Sequence, residues 1–186
     1  MGRSGLLWAP LQVWVQVPPT GRPAIWSQDF LRSCTRLTFR GTYEHSLDAK
    51  FRLTIPSRFR AALAGGVVLA FSPEIEPGAP RAVAIWTPAE YDEYSRSVLG
   101  SMNPGSPKAR ELGRFLNSNS LETELDSAHR VMIPEFLRSY AGLSKEVAVL
   151  GSGEYLEVLD RTAHARSLQA SLDRLPELLA SLGDTA

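Results

Sequence analysis

The sequence predicts a mainly β chain with short helices, an α+β fold in which one hairpin–helix–strand unit is used twice. Three observations predict it. An 18-residue segment recurs at an offset of 78 residues. Both copies alternate apolar and polar side chains with the period of a half-buried strand. Both copies end in Ile-Pro ahead of a short helical stretch. A unit of about 50 residues buries little apolar area alone. The two units are therefore expected to pack their hairpins together into one barrel with pseudo-two-fold symmetry.

Composition narrows the function classes. The 186 residues carry 20 Lys+Arg and 20 Asp+Glu, a formal net charge of zero with a pI of about 6.8. A uniformly basic protein that coats nucleic acid is excluded, but a local basic patch is not. Hydrophobic residues at 44% and charged residues at 22% suit a chain that buries a core. The single cysteine, Cys34, excludes a disulfide framework and a cysteine zinc site, and it fits a reducing compartment. The apolar run Leu6–Val17 is broken by Pro10, Gln12 and Gln16 and is too short to span a membrane. It also lacks the unbroken core and cleavage site of a signal peptide.

Residues 1–38 differ from the rest. They hold Trp8, Trp14 and Trp26 of the four tryptophans, four prolines, and Arg3, Arg22, Arg32 and Arg36 against the lone acid Asp29. They read as a disordered extension. A sharper alternative is a misplaced start codon, with Leu37 encoded by a TTG initiator.

The elements follow in order. Residues 43–60, YEHSLDAKFRLTIPSRFR, align with 121–138, LETELDSAHRVMIPEFLR, and seven of the 18 positions are identical. The shared residues are Glu44/Glu122, Leu47/Leu125, Asp48/Asp126, Arg52/Arg130, Ile55/Ile133, Pro56/Pro134 and Arg60/Arg138. Alternation puts Leu47, Leu53 and Ile55 on the core side and Asp48, Arg52 and Thr54 on the other. The strands Tyr43–Asp48 and Arg52–Ile55 are joined by Ala49-Lys50-Phe51, a three-residue hairpin loop. In the second copy Leu125, Val131 and Ile133 point inward, and Asp126 and Arg130 outward.

Proline ends each strand, because it has no N–H, and opens the first turn of a helix. Helices are expected over Ser57–Ala64 and Glu135–Ala141, with Gly142 as the stop. Strands follow at Gly66–Phe71 and Glu146–Gly151, with closing strands at Val83–Trp86 and Tyr155–Leu159. Residues 72–82 read as a surface loop. Thr87-Pro88-Ala89-Glu90 is a capping box that opens a helix to about Leu99, and Ser106-Pro107 opens another to about Leu116. In 162–182, Leu168, Leu172, Leu175, Leu179 and Leu182 make a heptad seam that Pro176 is expected to kink or split. The seam packs either on its own barrel or against another subunit. The organisation is thus an extension (1–38), a first unit (41–90), a helical linker (91–118), a second unit (119–162) and a C-terminal helical segment (163–186).

The segment Phe39–Arg60 and its partner Glu122–Leu143, with the doubled D-x-x-x-R motif, closely resemble the MraZ family, bacterial transcriptional regulators built from two SpoVT/AbrB-like domains. The resemblance covers about residues 39–165. It implies a swapped-hairpin β-barrel and a ring-shaped homo-oligomer. It also implies sequence-specific binding to G-rich direct repeats upstream of the division and cell-wall gene cluster, usually as a repressor, and a cytoplasmic, nucleoid-associated location. The family usually places glycine just before the motif arginine, where this chain has Phe51 and His129. Glycine takes a positive φ freely. A larger residue there is strained by about 1–2 kcal/mol, or the loop takes another turn type.

The charge splits between the copies. Residues 36–60 carry six basic and two acidic side chains, net +4, whereas residues 121–143 carry two basic and four acidic, net −2. Since DNA affinity rests on neutralising phosphates, the first hairpin is expected to make most of the contact. A two-stranded ribbon fits the major groove, and arginine meets guanine O6 and N7. With the resemblance, Arg52 becomes the main base-reading candidate and Lys50 the next. Asp48 orients Arg52, Arg58 and Arg60 suit phosphates, and Arg40 and Arg130 complete the set. An exposed cross-strand ion pair is the plainer reading of Asp48–Arg52, and for Asp126–Arg130 it stays ahead.

An enzyme is not indicated. His45, His129 and His164 lack metal-ligand spacing, and no phosphate-binding glycine loop or nucleophile signature is present. His45 reads as a buried, hydrogen-bonded side chain. No cofactor, membrane or small-molecule substrate is expected; the partners are double-stranded DNA and other copies of the chain. The alternative is a protein-interaction module like the DNA-binding half of antitoxins, whose tails wrap a toxin. The leucine-rich end, unlike an acidic disordered tail, argues against it.

Overall fold

The computed structural model describes residues 38–73 and 79–183. The extension assigned to 1–38 lies outside them but for its last residue, as does the middle of the 72–82 loop. The elements are β1 (Thr42–Ser46), β2 (Arg52–Thr54), a 3-10 turn (Ser57–Phe59), β3 (Val67–Phe71), β4 (Val83–Trp86), α1 (Pro88–Gly100), α2 (Pro107–Ser118), β5 (Leu121–Thr123), β6 (Arg130–Met132), α3 (Glu135–Ala141), β7 (Glu146–Gly151), β8 (Leu156–Asp160) and α4 (Arg161–Gly183).

Every strand pair is antiparallel. Six strands form one sheet in the order β1-β7-β8-β4-β3-β5, and β2 and β6 form a separate ribbon. Exchanging each strand for its counterpart in the other repeat returns the same order reversed. The two repeats are therefore related by a pseudo-two-fold between β4 and β8, and the fold is a duplicated, barrel-like α+β structure.

The arms of each hairpin do not pair with one another beyond the turn. Asp48 N donates to Arg52 O at 3.1 Å and Phe51 N to Asp48 O at 2.8 Å, which closes the loop. The arms then part. β1 pairs with β7 in the register Tyr43↔Val149, and β2 pairs with β6 in the register Leu53↔Val131. This corrects the simple hairpin expected from alternation. The physical reason is burial: Leu47, Leu53 and Ile55 need a core that one repeat cannot close. Threading each hairpin into the other repeat lets both share it.

That core lies between the ribbon and one face of the sheet. Leu53, Ile55, Val131 and Ile133 from the ribbon side meet Val67, Leu69, Val83, Ile85, Val147, Val149, Leu156 and Val158 from the sheet. Each side chain so buried contributes about 1.5–3 kcal/mol. The opposite face carries Val68, Ala70, Ala84 and Trp86, covered by Tyr91 and Tyr94 of α1. Trp86 stacks on Tyr155 at 4.2 Å and on Tyr94 at 5.1 Å.

The helix starts follow the sequence. Thr87 Oγ1 accepts from Glu90 N at 3.3 Å and Ser106 Oγ from Ala109 N at 3.1 Å, each with proline next. α3 spans the expected residues, and Gly142 closes it in the left-handed conformation. Its counterpart is shorter than expected: Ser57–Ala64 shrinks to the single turn Ser57–Phe59. Glu135 stabilises the first turn of α3, whereas the first repeat has no acid there and carries Arg58 instead.

Two features of α4 bear on its expectation. It begins on an unforeseen cap, Asp160, whose Oδ1 accepts from Thr162 N and Ala163 N at 3.0 and 3.2 Å. It also runs through Pro176 without breaking into two helices. Leu168, Leu172 and Leu175 are 44–52% exposed, so these members of the seam do not pack on their own barrel. The side chains of Leu179 and Leu182 lie outside the described residues. Among the described residues no helix is long and apolar enough to cross a membrane.

Candidate nucleic-acid interface

The ribbon has one buried and one open face. Leu53 and Val131 at its centre are 0% and 1% exposed. The period of two then turns Arg52, Thr54, Arg130 and Met132 outward. The two hairpin tips, Ala49-Lys50-Phe51 and Ser127-Ala128-His129, flank this face.

Four charged side chains meet there in a closed quartet. Asp48 Oδ1 accepts the N–H groups of Lys50 and Arg52 at 2.8 and 2.9 Å. Its Oδ2 takes Arg52 Nε and Nη2, both at 2.7 Å. The second repeat copies this: Asp126 Oδ1 accepts Ala128 N and Arg130 N at 2.9 and 3.0 Å, while Oδ2 takes Arg130 Nε and Nη2 at 2.9 and 2.8 Å. The spacing of four in D-x-x-x-R thus has a local cause: the aspartate organises the loop amides and grips the arginine that leaves the loop. The pairs also reach across the repeats. Arg52 Nη1 lies 3.6 Å from Asp126 Oδ2, and Arg130 Nη1 lies 3.6 Å from Asp48 Oδ2. The hydrogen bond from Arg52, with those from the loop amides, pulls the Asp48 carboxyl down to about 2. Asp126 is shifted down by its bond from Arg130, and Arg130 is shifted up by the same contact. The quartet thus holds both carboxylates in the charged form and Arg130 more firmly protonated.

Both tips keep the left-handed turn without glycine. Phe51 has φ 56° and His129 φ 55°. The loop geometry therefore stays, and the strain is accepted, about 1–2 kcal/mol at each site. At Phe51 there is an offset. The guanidinium of Arg138, from α3 of the other repeat, sits 3.5 Å from the ring centroid. Such a contact contributes about 0.5–1 kcal/mol at an exposed site.

The other expected residues are distributed as follows. Lys50 and Arg40 are exposed. Arg58 is exposed, donates to Tyr43 Oη at 2.7 Å, and lies over the Phe59 ring. Arg60 is half-buried and its Nε donates to Ile55 O at 3.0 Å, a structural bond that Arg138 repeats on Ile133 O at 3.1 Å. His45 is half-buried rather than buried; burial and the nearby Arg60 hold its pKa below the usual histidine value. Among the described residues no group of three or more His, Cys, Asp or Glu is placed to hold a metal ion.

Two features escaped the sequence. One is the reach of Asp126 to Arg52, which depends on the exchange of hairpin arms. The other is Arg138 over Phe51. Arg138 was visible as a shared residue of the repeat, but the repeat does not say which tip it meets.

Interlocked hairpins from a doubled unit, closing one core and turning paired Asp/Arg tips outward, define a duplicated swapped-hairpin β-barrel. The chain matches the family model described as "MraZ protein, putative antitoxin-like" over residues 38–115 and 116–175. It is 35% identical over 146 residues to a protein named transcriptional regulator MraZ from Mycoplasmoides gallisepticum, covering 78% of this chain and 98% of the relative. Proteins of the same name from Dictyoglomus thermophilum and Mycobacterium sp. (strain KMS) are 38% and 36% identical over 120 and 132 residues. These matches cover 64% and 71% of this chain, and 77% and 87% of the relatives. The chain belongs to the MraZ family.

Proposed function

We propose that the chain is a sequence-specific DNA-binding transcriptional regulator that represses its own division and cell-wall gene cluster. It binds G-rich promoter repeats as a ring of identical subunits and associates with the nucleoid. The single observation that carries this is the outward face of the β2–β6 ribbon, where Asp48 holds Arg52 side-on. Nε and one hydrogen of Nη2 are engaged. The end-on pair, Nη1 and Nη2, is the edge that meets guanine O6 and N7. Lys50 stands beside it at the tip. Arg40, Arg58 and Arg60 supply the phosphate-facing charge of the first repeat, and Arg130 plays the lesser part in the acidic second repeat. One hairpin gives a weak contact, and several on a ring engage spaced repeats together by avidity.

A gel-shift with the DNA upstream of the gene tests this, wild type against Arg52→Ala. The regulator gives a salt-sensitive shift that the variant loses. A protein-interaction module without operator binding gives no shift with either protein. Subunit number by light scattering tests the ring, and a monomer overturns it.

A further inference from the structure

We propose that Arg138 of the second repeat is a positioning residue for the DNA-reading tip of the first, acting through Phe51. The inference rests on the DNA-binding reading above. Phe51 lies between Lys50 and Arg52 and adopts φ 56°, a conformation its side chain disfavours. Two holds from the other repeat keep it there. Ile133 N donates to Phe51 O at 3.1 Å, and the Arg138 guanidinium lies 3.5 Å from the ring centroid. Arg138 is itself anchored by Nε to Ile133 O at 3.1 Å. Backbone and side chain of Phe51 are thus tied to one short stretch of chain, and the direction of Lys50 and Arg52 is set with them.

The pseudo-symmetric site shows which part is special. Ile55 N donates to His129 O at 3.0 Å, and Arg60 Nε donates to Ile55 O at 3.0 Å, so the backbone arrangement is the same. Only the basic hairpin carries a phenyl ring there. A guanidinium stacks on such a ring and keeps its charge. Release of the clamp would leave the tip charged but misaligned, which impairs base reading more than phosphate attraction.

The test is a double-mutant cycle in the full chain with Arg138→Leu, Phe51→Leu and the pair, with Arg138→Lys as the conservative variant. Fluorescence anisotropy compares the upstream promoter duplex with a scrambled duplex of equal length. Each single variant is expected to lower the specific-to-scrambled affinity ratio about fivefold, and the pair to be no worse than either. Affinity for scrambled DNA and its salt slope should stay unchanged. A slope reduced by about one in Arg138→Leu would make Arg138 a phosphate contact and overturn the proposal. Multiplying losses in the pair would also overturn it, by making Phe51 an independent DNA contact. If Arg138→Leu does not fold, the cycle runs on Arg138→Lys, which keeps the charge and loses the planar stack. A DNA-free arm measures hydrogen exchange of the Ile133 amide, expected to be faster in both single variants. Unchanged exchange overturns the clamp and leaves the DNA reading standing. A wild type that does not discriminate between the duplexes overturns the DNA reading, while the exchange arm still reports on the clamp.

Discussion

Asp126 Oδ2 stands 3.6 Å from Arg52 Nη1, although the two residues belong to different repeats. The motif arginine of the basic hairpin therefore faces its own aspartate at 2.7 Å and its neighbour's at longer range. The near carboxylate fixes the side chain, and the far one weakly competes for the edge that would meet a base.

Arg52 and Arg130 have almost the same geometry but differ in surroundings, and their variants should separate. Arg52→Ala is expected to weaken operator binding at least tenfold, in line with about 1–3 kcal/mol for a bidentate guanine contact. Arg130→Ala should weaken it less than threefold, because the second repeat is net acidic. Anisotropy titrations at one fixed salt concentration check both. Equal losses would show that the two tips share the reading.

Acid should loosen the tips before the barrel. The Asp48 pKa is lowered in the folded state to about 2 from an ordinary 3.8. A depressed carboxyl pKa means that the unfolded chain takes up protons first as pH falls. The stabilisation from Asp48 is thus complete above about pH 4 and is lost as pH drops through the folded value, with Asp126 shifted in the same direction. Asp48→Asn should make stability flatter across this window. Thermal melts from pH 5 to pH 2 are the measurement, and an unchanged acid limb would remove the quartet from the account.

The left-handed tips lead to an asymmetric expectation. His129→Gly removes strain and should stabilise the protein by about 1 kcal/mol. Phe51→Gly removes the same strain but also the ring under Arg138, worth about 0.5–1 kcal/mol, so its net effect should be close to zero. Urea midpoints of the two variants read the difference. A Phe51→Gly protein as stabilised as His129→Gly would mean that the cation–π contact contributes little.

The sequence carried local chemistry well and long-range pairing poorly. Thr87, Ser106 and Gly142 mark helix ends because their reasons lie within three or four residues, and the strands Val83–Trp86 and Glu146–Gly151 appear where apolar runs placed them. Alternation also assigned Leu53 and Val131 to the core and Arg52 and Arg130 to the outside. The simple hairpin expected for β1 and β2 was not the pairing found, since a period of two fixes a face and not a partner. The pairing of β1 with β7 required the three-dimensional exchange of hairpins, and with it came the Asp126–Arg52 and Arg138–Phe51 relationships. Of the two outcomes expected at Pro176, a kink or two short helices, the second does not occur, because the helix continues through it.

Gly151 marks where the chain before β1 is fastened to the second repeat. Gly151 N donates to Gly41 O at 2.9 Å, and Phe39 exchanges hydrogen bonds with Gly153 at 2.7 and 3.1 Å. Phe39 is 1% exposed and meets Phe59 edge-on at 5.2 Å. A Cβ at Gly151 would collide with the backbone of Phe39 and Arg40, which has no soft side chain to yield. Gly151→Ala is therefore expected to destabilise by about 1–3 kcal/mol, the cost of overpacking, and to release residues 39–41 from β7. Arg40, exposed just before β1, would then lose its fixed place at the end of that strand away from the tip, so any loss of DNA affinity should be small. Hydrogen exchange at the Phe39 and Gly153 amides follows the release directly. Protection equal to wild type, with unchanged stability, would show that the crossing can widen without cost.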